Sequence, residues 1–267
     1  MSLLFANAAL LGLCAGLITW LFTSLGAAVV FLKRGFSRKT LDVLLGFAAG
    51  VMLAASVWSL LLPALELAEA SWGKARFIPA ALGFLLGALG LRLIDWLMPH
   101  MHPVINRAEG MGACRLHKHF LLIMAITLHN IPEALAVGVA FGAVTIDPDL
   151  GAAGAITLML GIGLQNLPEG MAVSLPLLRE GCSRKRAFFY GQLSGLVEPA
   201  AAVAGAMLAA SALAVLPWAL AFAAGAMVFV TVEEVIPEAH ASGNGDAATL
   251  GVIIGFVSMM CLDVAFG

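Results

Sequence analysis

Eight long apolar runs divide the chain, near residues 4–32, 41–66, 77–99, 119–145, 151–178, 187–212, 216–239 and 248–266. Each is close to the ~20 residues that a helix needs to cross a bilayer. In hydrocarbon no water satisfies a stray backbone N–H or C=O, so runs of this kind fold as helices whose hydrogen bonds close within one segment. A membrane barrel would read instead as alternation over about ten residues, which the chain does not follow. The expected fold is an all-α polytopic membrane protein, one domain over residues 1–267 with eight transmembrane helices. Composition agrees: 61% of residues are hydrophobic and 11% charged, and mean hydropathy is +1.01. Those values exclude an ordinary soluble domain. A formal net charge of −2 points to no nucleic-acid partner. The lipid bilayer is the one extended partner that the composition requires.

The polar breaks are short: "KRGFSRK" (33–39), "HMHPVINRAEGMGACRLHK" (100–118), "IDPD" (146–149), "REGCSRKR" (179–186) and "HASGNGDA" (240–247). Only "SALAVLP" (211–217) separates the sixth span from the seventh. Lys33, Arg34, Arg38 and Lys39 follow the first span, Arg107, Arg115 and Lys118 the third, and Arg179, Arg184, Lys185 and Arg186 the fifth. The opposite loops hold Lys74 and Arg76. The positive-inside rule then makes the basic loops cytoplasmic and both termini extracytoplasmic. The first run lacks a basic leader and exceeds a signal-peptide core, so it is expected to be a retained span. Cys14, Cys114, Cys182 and Cys261 lie far apart without CxxC spacing, so neither a disulfide framework nor a zinc knuckle is expected.

Against this apolar background one motif occurs twice. "HNIPEALAVG" (129–138) and "QNLPEGMAVS" (165–174) share Asn, Pro, Glu, Ala and Val at matching positions in consecutive spans. Consecutive spans run in opposite directions, and opposed repeats with proline-interrupted helices are a transporter signature, with the binding site near the midplane. His129 and Glu133 are four residues apart and so share a helix face, as do Gln165 and Glu169. Pro132 and Pro168 free the carbonyls of Leu128 and Leu164, which is tolerable in a bilayer only beside protein or a wet cavity. Glu198, in "SGLVEPA", is a third carboxylate inside a span. Each such group costs roughly 2.5–3.5 kcal/mol at the bilayer centre. No lysine or arginine lies at similar depth, so a divalent cation or bound protons must neutralise them. Imidazole with carboxylate and carboxamide suits zinc, iron, manganese, cobalt or cadmium, whereas calcium or magnesium would call for an all-oxygen shell. One or two ions fit this donor set.

"LHNIPEALAVGVAFG", "LQNLPEGMAVSLPL", "SGLVEP" and "EEVIPEAH", in that order on eight spans, resemble the ZIP family of divalent-metal transporters, most closely its bacterial GufA-like branch. The resemblance covers nearly the whole chain. It implies import of a metal such as zinc toward the cytoplasm across the cell inner membrane. It also implies a helical bundle with inverted repeats, a homodimer, and an elevator-like motion of one bundle against another. Carried over motif by motif, the metal ligands are His129, Asn130 and Glu133, then Gln165, Asn166 and Glu169, then Glu198. The second span also resembles the family, and Met52 falls where some relatives place a thioether. Two positions depart from the pattern: Ala134 replaces a glycine, and Glu233-Glu234 stands where His-Glu is common.

Each candidate has a plainer alternative. Asn130, Gln165 and Asn166 are either ligands or hydrogen-bonding glue between helices, and Met52 is either a ligand or packing. His100, His102, His117 and His119 are either exit-route ligands or parts of an ordinary polar loop. Glu233, Glu234, Glu238 and His240 could collect metal at the same end. Asp42 is an exit ligand or a salt-bridge partner of Arg38 or Lys39. The expected function is transport of a divalent transition metal without a catalytic cofactor. The rivals are a metal-selective channel using the same acids and an intramembrane metalloenzyme, against which stands the lack of HExxH and GxSxG.

Overall fold

The computed structural model describes residues 2–32, 37–97, 100–102, 107–109, 118–146, 152–179, 181–211 and 213–266. Nearly all of them are helical. The chain runs through α1 (Ser2–Leu32), α2 (Arg38–Ala55), α3 (Leu62–Trp72), α4 (Phe77–Leu97), α5 (Lys118–Ile146) and α6 (Ala152–Arg179). It continues through α7 (Arg184–Ser194), α8 (Glu198–Ser211), α9 (Leu216–Val230), α10 (Ile236–His240) and α11 (Gly245–Phe266). Ser37 and Ser183 cap α2 and α7 by accepting the backbone N–H groups of Thr40 and Arg186, as expected for serine at a helix start. The segment expected to be a plain loop after α4 contains a short antiparallel pair, β1 (His100–His102) with β2 (Arg107–Glu109). His117 lies outside the described residues, and so do the side chains of His100, His102 and His119.

Among the described residues, seven helical segments are long and apolar enough to cross a membrane: Leu3–Leu32, Arg38–Ala75, Phe77–Ile94, Ile126–Ile146, Arg184–Ser211, Leu216–His240 and Gly245–Phe266. That is one fewer than the eight apolar runs. The difference is α6, whose 28 residues include Gln165, Asn166, Pro168 and Glu169 and so fall short in hydropathy.

Three spans are not regular helices. Between α2 and α3 lies a π-turn, Ser56–Leu61, and between α9 and α10 another, Thr231–Val235. Each comes just before a proline, Pro63 or Pro237. Proline has no N–H for the carbonyl four residues back, and a wider turn takes up the mismatch. Ser56 and Thr231, the first residue of each turn, donate a hydroxyl to the carbonyls of Met52 and Met227 at 2.8 and 2.7 Å. The third irregular span breaks at residues 195–197, between α7 and α8. Pro199 then sits in the first turn of α8, where its missing N–H costs nothing.

The helices fall into two groups. One comprises α1, α5, α6, α7 and α8, the other α2, α3, α4, α9, α10 and α11. The groups meet mainly where α6 packs on α2 and α11, and α5 on α9. Within each group, glycines bring backbones into direct contact. A Cβ on Gly26 of α1 would overlap the carbonyl of Leu167 in α6, and one on Gly170 of α6 the carbonyl of Thr23 in α1. Gly138 of α5 and Gly205 of α8 are related in the same way, as are glycines of α2 with α11 and of α4 with α9. Small residues drive close helix approach of this kind in membranes. Between the groups the contact is made by side chains, among them Met52, Leu158, Ile162, Met227 and Met259.

Candidate metal centre

Both prolines of the repeated motif lie inside continuous helices, Pro132 in α5 and Pro168 in α6. One turn from each, the polar side chains turn inward. His129, Asn130, Glu133, Gln165, Asn166, Glu169 and Glu198 are all buried. Three helices supply them, and their electrostatic neighbours are largely each other. Glu133 lies within reach of Glu169 and Glu198, with Gln165 beside it. Glu169 is in turn within reach of His129 and Glu238.

The hydrogen bonding among these groups is asymmetric. Asn130 donates its Nδ2 to the backbone oxygen of Ser194 at 3.0 Å, and Asn166 donates its Nδ2 to Glu198 Oε2 at 2.9 Å. The Oδ1 atoms of both asparagines have no partner. Neither oxygen of Glu133, neither oxygen of Glu169 and neither amide atom of Gln165 has one either. A buried polar atom without a partner costs about 1–3 kcal/mol, and more if it is charged. So many on two adjacent helices call for an explanation. All except the Gln165 nitrogen are oxygen donors. In both asparagines the nitrogen bonds across to another helix while the carbonyl oxygen has no hydrogen-bond partner.

Glu198 differs from its fellow carboxylates. It accepts from Thr23 Oγ1 at 2.7 Å as well as from Asn166. Among the described residues, no group of three or more His, Cys, Asp or Glu side chains is spaced to hold an ion.

The remaining candidates separate clearly. Met52 is fully buried, with its sulfur 3.6 Å from Thr231 Oγ1. Glu234 is buried and pairs with His129, Oε2 to Nε2 at 3.1 Å, linking the two helix groups. Glu233 is exposed and does not join it. Glu238 lies within reach of His129 and Glu234. His240 has both ring nitrogens engaged, with the Ile236 carbonyl at 2.8 Å and Thr249 Oγ1 at 3.0 Å. Asp42 is buried beside Arg38, with Nε at 3.3 Å from Oδ1, and accepts from Asn244 at 2.8 Å.

Sequence reasoning passed over four residues. Thr23 and Ser194 hold site side chains, and Ser59 donates to Asp263 at 2.7 Å across α11 and the first π-turn. Asp263 was findable, being a carboxylate inside the last apolar run. Thr19 and Thr23, four residues apart in the first span, were a fainter hint.

Comparison with known proteins identifies a family. A family model described as ZIP Zinc transporter matches residues 108–263. "Zinc transporter ZIP11" of Xenopus tropicalis is 42% identical, over 94% of this chain and 96% of its own length. "Zinc transporter GufA" of Myxococcus xanthus is 41% identical over 96% and 99%, and "Zinc transporter ZIPB" of Bordetella bronchiseptica 40% over 97% and 81%. An integral multi-pass membrane protein with matches of this extent, the chain belongs to the ZIP family of zinc transporters, which are transporters and not enzymes.

Proposed function

We propose that the protein carries zinc, and other divalent transition metals of similar chemistry, into the cytoplasm through a site shared by α5 and α6. Asn130, Glu133, Gln165, Asn166 and Glu169 contribute oxygens, and His129 its imidazole when it leaves Glu234. Glu198 borders the site, and Met52 flanks it from α2. The donor set accommodates one ion, or two bridged by carboxylate. What carries this reading is the set of buried, unpartnered oxygens on Asn130, Glu133, Asn166 and Glu169, since a divalent cation supplies the charge that they lack.

In this reading α6 is the eighth span, polar because it carries half of the site. Basic loops on one side put both termini outside. The location in this reading is the cytoplasmic membrane and the assembly a homodimer, as the motif resemblance implies. The repeated motif on adjacent helices makes the fold an inverted repeat. Backbone contact at glycine seams within each helix group, and side-chain contact between the groups, suit a motion in which one group moves against the other. Glu234 and Glu238 line the way to the cytoplasm in this reading.

Zinc uptake into proteoliposomes, measured for wild type, Glu133→Ala and Glu169→Ala at matched reconstitution, tests the reading. Both variants should lose uptake. Normal uptake by both would remove the site.

A further inference from the structure

We infer that Thr23, acting through Glu198, is a positioning residue that aims Asn166 Oδ1 at the transported ion. This rests on the metal site proposed above. Asn166 is buried, and a carboxamide can present either its oxygen or its nitrogen to a neighbour. Only the oxygen binds a cation. Its direction is set by what holds the nitrogen. Glu198 is the nearer of its two acceptors, at 2.9 Å from Asn166 Nδ2 against 3.4 Å for the Thr19 carbonyl, and Glu198 is itself held by Thr23 Oγ1 at 2.7 Å.

The chain of contacts is rigid at each link. Thr23 is fully buried, and its backbone is in direct contact with Gly170, four residues beyond Asn166, so α1 and α6 are closely packed here. Glu198 begins α8 directly after the break at residues 195–197. A Cβ on Gly195 would lie 2.6 Å from Glu198 Oε1 and 2.9 Å from Thr23 Cγ2. Glycine is therefore what lets the carboxylate fold back onto the hydroxyl. The other asparagine is held from the same break, Asn130 Nδ2 donating to the Ser194 carbonyl at 3.0 Å. One interrupted span thus orients both carboxamides of the repeated motif. The Ser194 carbonyl can accept only from a donor and needs no help. Glu198 is a side chain that could rotate, and the Thr23 hydroxyl, its shortest contact, holds the oxygen that Asn166 leaves free.

Outer-shell partners of metal ligands typically govern affinity by about 10- to 100-fold. Thr23→Val keeps the shape and removes the hydroxyl. It should raise KM for zinc uptake in proteoliposomes by about tenfold while Vmax stays within about twofold. Calorimetric titration of Zn2+ into the purified variant should show the same loss of affinity. Thr23→Ser should restore both. Glu198→Leu, which removes both accepting oxygens, should lose at least as much as Thr23→Val. On an Asn166→Ala background, Thr23→Val should add nothing further. Wild-type KM and affinity in Thr23→Val, failure of Thr23→Ser to rescue, or a full Thr23→Val effect persisting with Asn166→Ala would each overturn the inference. If Thr23→Val is normal while Glu133→Ala is dead, the positioning role alone falls. If Glu133→Ala and Glu169→Ala are both active, the site falls and the inference with it.

Discussion

Replacing Glu133 with methionine should make the metal-free protein more stable and the metal-bound protein less so. Both Glu133 oxygens are buried without a hydrogen bond, and Glu169 and Glu198 stand within electrostatic reach. Methionine has similar length and flexibility and keeps the volume filled. It removes two unsatisfied acceptors and one member of a like-charged cluster. Relief of a buried unsatisfied group is worth about 1–3 kcal/mol, which sets the expected gain in the absence of metal. Wild type regains more than this from zinc, because an ion at 100 times its dissociation constant stabilises by about 2.7 kcal/mol. Thermal unfolding in detergent, with chelator and then with excess zinc, reads both effects. Glu133→Met should melt higher than wild type under chelator and show no upward shift with zinc. A variant that melts lower under chelator and keeps the zinc shift would refute the reasoning. Glu133 would then be an ordinary packed residue.

Other outcomes follow from the same geometry. Zinc affinity should weaken as pH falls from about 7.5 to about 5.5, because imidazole and carboxylate bind metal only when deprotonated; a flat affinity over that range would argue against these ligands. Cobalt-loaded protein should show visible d–d bands without a thiolate charge-transfer band, since the proposed shell contains no cysteine. Gly138→Ala places a methyl group against the Ala202 carbonyl and should cost about 1–3 kcal/mol of stability or abolish expression, whereas Gly154→Ala meets nothing within 4 Å and should be silent in the same melt.

Much of this molecule is readable from its chain, for reasons particular to membranes. A charge inside an apolar run is so costly that Glu133, Glu169 and Glu198 identify themselves, and the repeated proline and asparagine beside them mark a pair of helices. The partner of each group is not readable in this way. His129 and Glu234 are 105 positions apart, and Thr23 and Glu198 175 apart; no local periodicity encodes which distant faces meet. The π-turns at Ser56–Leu61 and Thr231–Val235 were half visible. Pro63 and Pro237 announce a disturbance, but whether a helix kinks, breaks or widens depends on what packs around it. At Glu198 the helix broke before the proline, where the sequence showed only an apolar run continuing.

The polarity of α6 bears on how the protein is made. A segment carrying Gln165, Asn166 and Glu169 partitions poorly into lipid when it leaves the insertion machinery alone, while α1 has been in the bilayer since early in synthesis. The glycine seam at Gly26 and Gly170 gives the newcomer a dock already in place, where the Thr19 carbonyl accepts from Asn166, and Glu198 joins it once α8 is made. Biogenesis should accordingly stall at α6 when that seam is filled, leaving a half-inserted chain for quality control to remove before any ion is met.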